Sequence, residues 1–325
     1  LAFRLAAPVV NLTSLITSAP AAISGYSGVS IPRAMSLLAD MGTQYTRFKT
    51  GSGINAEDTA LFEEIEKHGW HTAQFNREAV SVLQSRLGVG WERLMNAGMF
   101  LFGATEQLNR AATIAAAYKA LKGKHKGKWT EDVHTAALKK AKNISDLAHG
   151  VYGKANLPEF ARGTSTGAHI ARSFYVFKTF IHNYLLTMID LAGGNAQAKK
   201  AAAWMGFVPA LLGGATASPF YAALMKAVSL FMDDDPEEEL YRMVEQYTGE
   251  YGERFARFGA AGVTGVSIKG SLELNLVSLP TSWMDIFGAP GSVITDMGEG
   301  VRYLTKGEIK KGFERAVPNA FAGPV

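Results

Sequence analysis

The chain has 325 residues, of which 47% are hydrophobic and 19% charged, with a net charge of +4 and no cysteine. Such a composition buries a sizeable core and excludes a mostly disordered chain; the missing cysteines exclude disulfides, thiolate nucleophiles and cysteine-ligated zinc. The charge is lopsided: residues 1–200 hold 23 Lys+Arg against 14 Asp+Glu and residues 201–325 hold 10 against 15, a basic piece followed by an acidic one. Starting at Leu1 without a methionine, the chain reads as the ordered part of a longer polypeptide, and "LAFRLAAPVV" lacks the segment order of a secretory signal.

In chain order, residues 5–32 carry no charge but are broken by Pro8, Pro20, Gly25, Gly28 and Pro32, which predicts a packed, kinked or interfacial segment rather than an uninterrupted spanning helix. "NAEDTALFEEIEKHG" (55–69) predicts a helix capped by Asn55, with acids in its first turn, a Leu61/Phe62/Ile65 stripe and a stop at Gly69. Residues 75–88 repeat that pattern, and Trp91 to Leu121 reads as one long helix, apolar nearly all round its centre, with Glu106, Asn109 and Arg110 set into it. Glu106 and Arg110 lie four apart on one face and are expected to form a structural ion pair. A lysine-rich turn, "KGKHKGKW", leads into a helix from Thr130 through Leu147, and a further helix over 165–194 is expected, capped near Ser165 or Thr166 and stopped at Gly193–Gly194.

Residues 201–225 are again uncharged, between Lys199/Lys200 and the acidic "DDDPEEE". Pro209, Pro219, Gly206, Gly213 and Gly214 divide this stretch into pieces around 195–212 and 219–232, each shorter than the ~20 apolar residues a bilayer crossing needs. A buried segment or an apolar helical hairpin is therefore favoured over a single crossing. Asp235 is expected to cap the next helix, with Pro236 in its first position and Glu237 to Glu239 on the positive end of its dipole. Strand-like alternation is confined to "SLELNLVSL" (271–279). The fold class is all-α: an elongated multi-helix bundle with long helices and a Gly/Ala/Pro-rich apolar hairpin. Its expected divisions are an N-terminal helical segment (1–90), a long-helix core (91–194) and an apolar hairpin with a C-terminal region (195–325).

The motifs of common chemistry are missing. "GKHKGKW" has the wrong spacing for a phosphate-binding loop and places Trp129 where a magnesium-binding hydroxyl is needed. No GxGxxG follows a strand, no HExxH or GxSxG occurs, and His68 and His71 near a helix end have no nominated co-ligands. The acidic run lacks the spacing of a calcium loop. No enzyme, cofactor or metal site is expected. The remaining candidates are Lys122, Lys124, Lys126 and Lys128, which face either phosphates, nucleic-acid backbone and anionic headgroups, or simply solvent.

The order of certain pieces carries a resemblance. They are "LFGATEQLNRAATIAAAYKA" (101–120), "AHGVYGKANLPEFARG" (148–163), "SFYVFKTFIHNYL" (173–185), "FGAAGVTGVSIKGSLELNLVSLP" (258–280) and the closing "GAPGSVITDMGEGVRYLTKGEIKKGFERAVPNAFAGP" (288–324). Within them stand Glu106/Asn109/Arg110, Tyr152/Lys154/Asn156/Pro158 and Phe177/Lys178/Phe180. Over roughly residues 90–325 this resembles the C-terminal region of very large tailed-bacteriophage proteins, including PLxRFG polyproteins and large internal virion proteins. The PLxRFG signature itself is absent, the nearest text being "RFARFG" (254–259). The resemblance implies a structural, oligomeric ejection protein. It would be held inside the capsid near the portal with other virion proteins, and released through the tail to help build a DNA conduit across the host periplasm and inner membrane. It implies no catalytic residue here. The competing expectation is a packaged effector directed at nucleic acid, an anti-restriction protein or an accessory region of a virion RNA polymerase.

Overall fold

The structure, a computed structural model, describes residues 12–72, 103–150, 183–218, 221–229 and 235–263. Among these every regular element is a helix and none is a strand, as the all-α reading requires. After a 3₁₀ turn (Thr13–Leu15) come α1 (Ser18–Ser27), α2 (Ile31–Thr50), α3 (Ala56–Lys67), α4 (103–124) and α5 (Glu131–His149). Then follow α6 (183–193), α7 (Ala196–Gly213), a second 3₁₀ turn (Ala215–Ala217), α8 (Tyr221–Val228) and α9 (Pro236–Val263). The strand-like piece 271–279, the helix expected at 75–88, the first part of that expected from Trp91 and the first part of that expected over 165–194, with its cap, lie outside the described residues.

Local chemistry explains the helix starts. Ser30, Asn55, Thr130 and Asn195 each cap a helix by accepting a backbone N–H with the side chain. At α3 the cap is reciprocal: Asn55 Oδ1 accepts from Asp58 N at 2.8 Å while Asn55 Nδ2 donates to the Asp58 carboxylate at 2.7 Å. Asp235 caps α9 by accepting from Glu237 N at 2.9 Å, so the acidic run opens a helix as its sequence predicts.

One hydrophobic cluster joins α1 to α5. It is built on Ile23, Leu38, Met41, Phe62, Ile65, Ile114, Leu138 and Ile144. Helix α4 lies at its centre, buried on every side from Ala111 to Tyr118. Alanines at 111, 112, 115, 116 and 117 let neighbouring helices approach closely. A second cluster joins α1, α6 and α7 through Ala21, Tyr184, Met188, Leu191, Ala201 and Met205. Helix α1 is thus a wedge shared by both. It has no polar face; two of its three serines turn their hydroxyls onto backbone, Ser24 Oγ onto Val29 O at 2.7 Å and Ser27 Oγ onto Ile23 O at 2.6 Å. Most of the uncharged residues 12–32 therefore pack inside protein, with Ile16, Gly28, Ser30 and Pro32 exposed.

Helix α7 matches the piece expected around 195–212 and carries Pro209 inside it. Proline has no N–H, so the carbonyl four residues back, Met205 O, loses its helical donor. The Tyr184 hydroxyl replaces that donor from α6 at 2.5 Å. Burial holds the Tyr184 phenol protonated by raising its pKa far above the ordinary value. A partner on the preceding helix thus supplies the donor that the proline removes.

Helix α9 folds back on itself. At Gly249 the backbone leaves helical geometry with φ 75° and ψ −179°. A straight helix would separate residues 238 and 257 by about 28 Å. Instead Arg257 grips the Glu238 carboxylate with both terminal guanidinium nitrogens, at 3.1 and 2.9 Å, and its head lies 4.1 Å from the Tyr241 ring centre. The arms 236–248 and 250–258 lie side by side with the tip at 247–251. A second departure at Gly259 (φ 63°) brings the chain against the end of α7, where Gly214 has φ 86°. A Cβ on Gly259 would meet the backbone of Leu212 and Gly214, and one on Gly214 would meet that of Arg257 and Phe258.

Candidate functional site

Two regions gather the candidate residues. The first is buried around Arg110, 1% exposed, one of the largest fully covered side chains. Its Nε donates to Glu106 Oε1 at 3.1 Å, the ion pair expected from the four-residue spacing. Its Nη2 donates to the carbonyl of Gly150, the residue after α5, at 2.8 Å, and Nη1 lies 3.8 Å from Asp146 Oδ1. Asp146 also pairs with Lys142 one turn earlier. Asn109 donates to Ser14 Oγ at 3.0 Å, and Thr113 Oγ1 meets His149 Nε2 at 2.9 Å. Positions 106, 109, 110 and 113 form one polar stripe on an otherwise alanine-rich helix. The stripe ties α4 to the N-terminal 3₁₀ turn and to both the last turn and the end of α5.

Burial depresses the His149 pKa from 6.5 to about 3, and the Arg110 charge adds to the effect. His149 is therefore neutral here. A neutral imidazole beside a guanidinium already held by carboxylate and carbonyl oxygens is a structural lock.

The second region is the turn between α4 and α5. Tyr118 Oη lies 2.7 Å from His134 Nδ1, and His134 Nε2 lies 3.0 Å from Glu64 Oε2 on α3. Trp129 meets Tyr118 edge-on at 5.9 Å and His125 at 5.4 Å. This aromatic clasp fixes the turn. Of the four candidate lysines, Lys122 is engaged, 3.2 Å from Glu57 and 5.6 Å from the Trp129 ring centre. Lys124, Lys126 and Lys128 are exposed and make no ion pair with a described residue. Nearby Lys119 pairs with the buried Asp58 at 2.6 Å.

No protein-family model, no curated protein and no solved structure matches the chain.

Among the described residues no three His, Asp or Glu side chains are gathered so as to hold a metal. His68 is exposed and stacks on Trp70 at 4.4 Å. No helix among the described residues is long and apolar enough to cross a membrane. Sequence reasoning missed Asp146, His149 and Gly150 as partners of Arg110, and the Tyr118–His134–Glu64 chain, because both are pairings between helices. It also missed the folded-back α9. A signal for the stripe was present, since Asn109 and Thr113 share the face of Glu106 and Arg110.

Proposed function

We propose that this chain is a structural, self-associating protein of the phage internal-virion class, released through the tail to help form a conduit for DNA across the host envelope. The observation that carries the reading is the place of one of the three residue sets behind the resemblance, those at 152–158 and 177–180 lying outside the described residues. Glu106, Asn109 and Arg110 all lie inside the helix assembly and hold α4 to its neighbours. The motif is thus architectural, in keeping with a region to which the resemblance assigns no chemistry. The lack of cysteine and the alanine-rich helix contacts also support it: such a chain unfolds, passes a narrow tube and repacks without disulfide hazard. On this reading the molecule is an elongated bundle, residues 195–232 form its apolar hairpin, and it meets the envelope as part of an assembly. Cryo-EM of intact and emptied particles tests it. Density for the chain in full particles and its loss from emptied ones is the expected result; retention after DNA release overturns ejection.

A second reading, a packaged effector acting on nucleic acid, is favoured by one observation: Lys124, Lys126 and Lys128 stand exposed on a fixed turn. It requires duplex binding whose logarithmic salt slope weakens by about 2 to 3 when these three lysines are neutralised. Absence of salt-dependent binding removes it.

A further inference from the structure

We infer that copies of this chain join head to tail, the tip of α9 on one copy seating on the lysine turn between α4 and α5 of the next. The inference rests on the reading of the chain as a self-associating structural protein and names the two surfaces. Tyr247 and Tyr251, at the tip, are 84% and 85% exposed, so no described residue covers them. Large aromatic rings displayed in this way are characteristic of contact surfaces. The tip is also held in place: Arg257 clamps the two arms through Glu238 and Tyr241, and Gly259 anchors the base against α7. A rigid display of tyrosine loses little conformational freedom on docking.

The two surfaces are complementary in charge. Residues 235–263 hold seven Asp+Glu against three Arg, a net −4, while residues 119–142 hold eight Lys against two Asp+Glu, a net +6. At the tip Glu245 and Glu250 flank the tyrosines, are exposed and make no ion pair with a described residue. On the turn the same holds for Lys124, Lys126 and Lys128. Lysine ammonium groups seat on tyrosine faces as well as on carboxylates, and Lys122 over Trp129 shows this turn already using an aromatic face. Nucleic acid would satisfy the lysines and leave the acidic tip uncovered; a second copy satisfies both. Because the patches differ, the contact is heterologous, so it closes into a ring or runs on as a fibre.

Sedimentation of the full chain over a range of protein and salt concentrations tests this. Wild-type mass is expected to rise with concentration and fall with salt. Tyr247→Ala/Tyr251→Ala and Lys124→Glu/Lys126→Glu/Lys128→Glu, all at exposed positions, are each expected to weaken association about tenfold or more. Mixed one to one, the two variants retain a single complementary pair of surfaces, so association is restored but stops at dimers. A wild type that stays monomeric overturns both the interface and the self-association in the reading above. A wild type that associates while either variant matches it, or variants that fail to pair when mixed, overturns the interface alone. Unchanged association with duplex DNA binding lost in the lysine variant assigns the turn to nucleic acid and also overturns it.

Discussion

Arg110 carries a full charge where almost no water reaches it, and it is tolerated because Glu106, Asp146 and the Gly150 carbonyl share its donors. Arg110→Ala strips Glu106 of its cation and the Gly150 carbonyl of its donor. Urea unfolding is expected to show a loss of about 3 to 5 kcal/mol, whereas the paired change Glu106→Gln/Arg110→Met is expected to cost markedly less. His149 gives the lock a pH signature. Its folded pKa of about 3 lies below the unfolded value near 6.5, so the unfolded chain binds the extra proton between them. Its contribution is therefore complete above about pH 6.5 and is lost as pH falls toward 3. Against wild type, His149→Gln is expected to flatten the stability profile over that window, since glutamine keeps a polar partner for Thr113 without titrating; parallel profiles would remove the assignment. At this scale the sequence shows the pair at 106 and 110, because helix periodicity places both on one face. It hides Asp146 and His149, since their approach depends on the register of α5 against α4, and no spacing within either helix encodes that register.

Among the elements, the starts at Asn55, Thr130, 195 and Asp235 were legible, those of α1 and α2 were not, and the paths were not. Asn55, Thr130, Asn195 and Asp235 all cap helices, because a cap is chemistry between residues two or three apart. What the sequence does not show at Pro209 is the compensation: the donor it removes is restored by Tyr184, distant in sequence. Tyr184→Phe is accordingly expected to leave Met205 O without that donor and lower stability by about 1 to 3 kcal/mol, seen as faster hydrogen exchange around 203–210. The reversal of α9 turns on the sign of one glycine torsion, which a sequence pattern does not display. The contact of Gly259 with α7 is more exacting than the turn at Gly249, where an added Cβ would meet nothing within 4 Å. Gly259→Ala is expected to cost about 2 kcal/mol or more, from left-handed backbone strain and from parting two backbones. It should raise exchange in both 208–214 and 253–259, while Gly249→Ala should perturb the tip alone.

For the molecule as a whole, the all-α class follows from periodicity and from the scarcity of alternating segments, and the described residues bear it out. The packing order was not legible, because alanine-rich helices carry little in their sequence to say which neighbour each will choose. The lack of cysteine makes a plain forecast: refolding from denaturant should give the same yield with and without reductant, and a redox-dependent yield would point to a different source of misfolding. The wedge α1 has a consequence for the timing of assembly. Gln197 reaches back 173 residues to Ser24, and Trp204 reaches 188 residues to the carbonyl of Ile16. Made from the N-terminus at about 5 to 20 residues per second, α1 waits roughly ten seconds or more before α7 exists to cover it. An apolar segment left waiting in this way invites a chaperone or a neighbouring nascent chain, and the proposed passage through a tail would bring the same delay if it ran N-terminus first. In the opposite sense α7 would emerge ahead of α1, which would then find its slot already built.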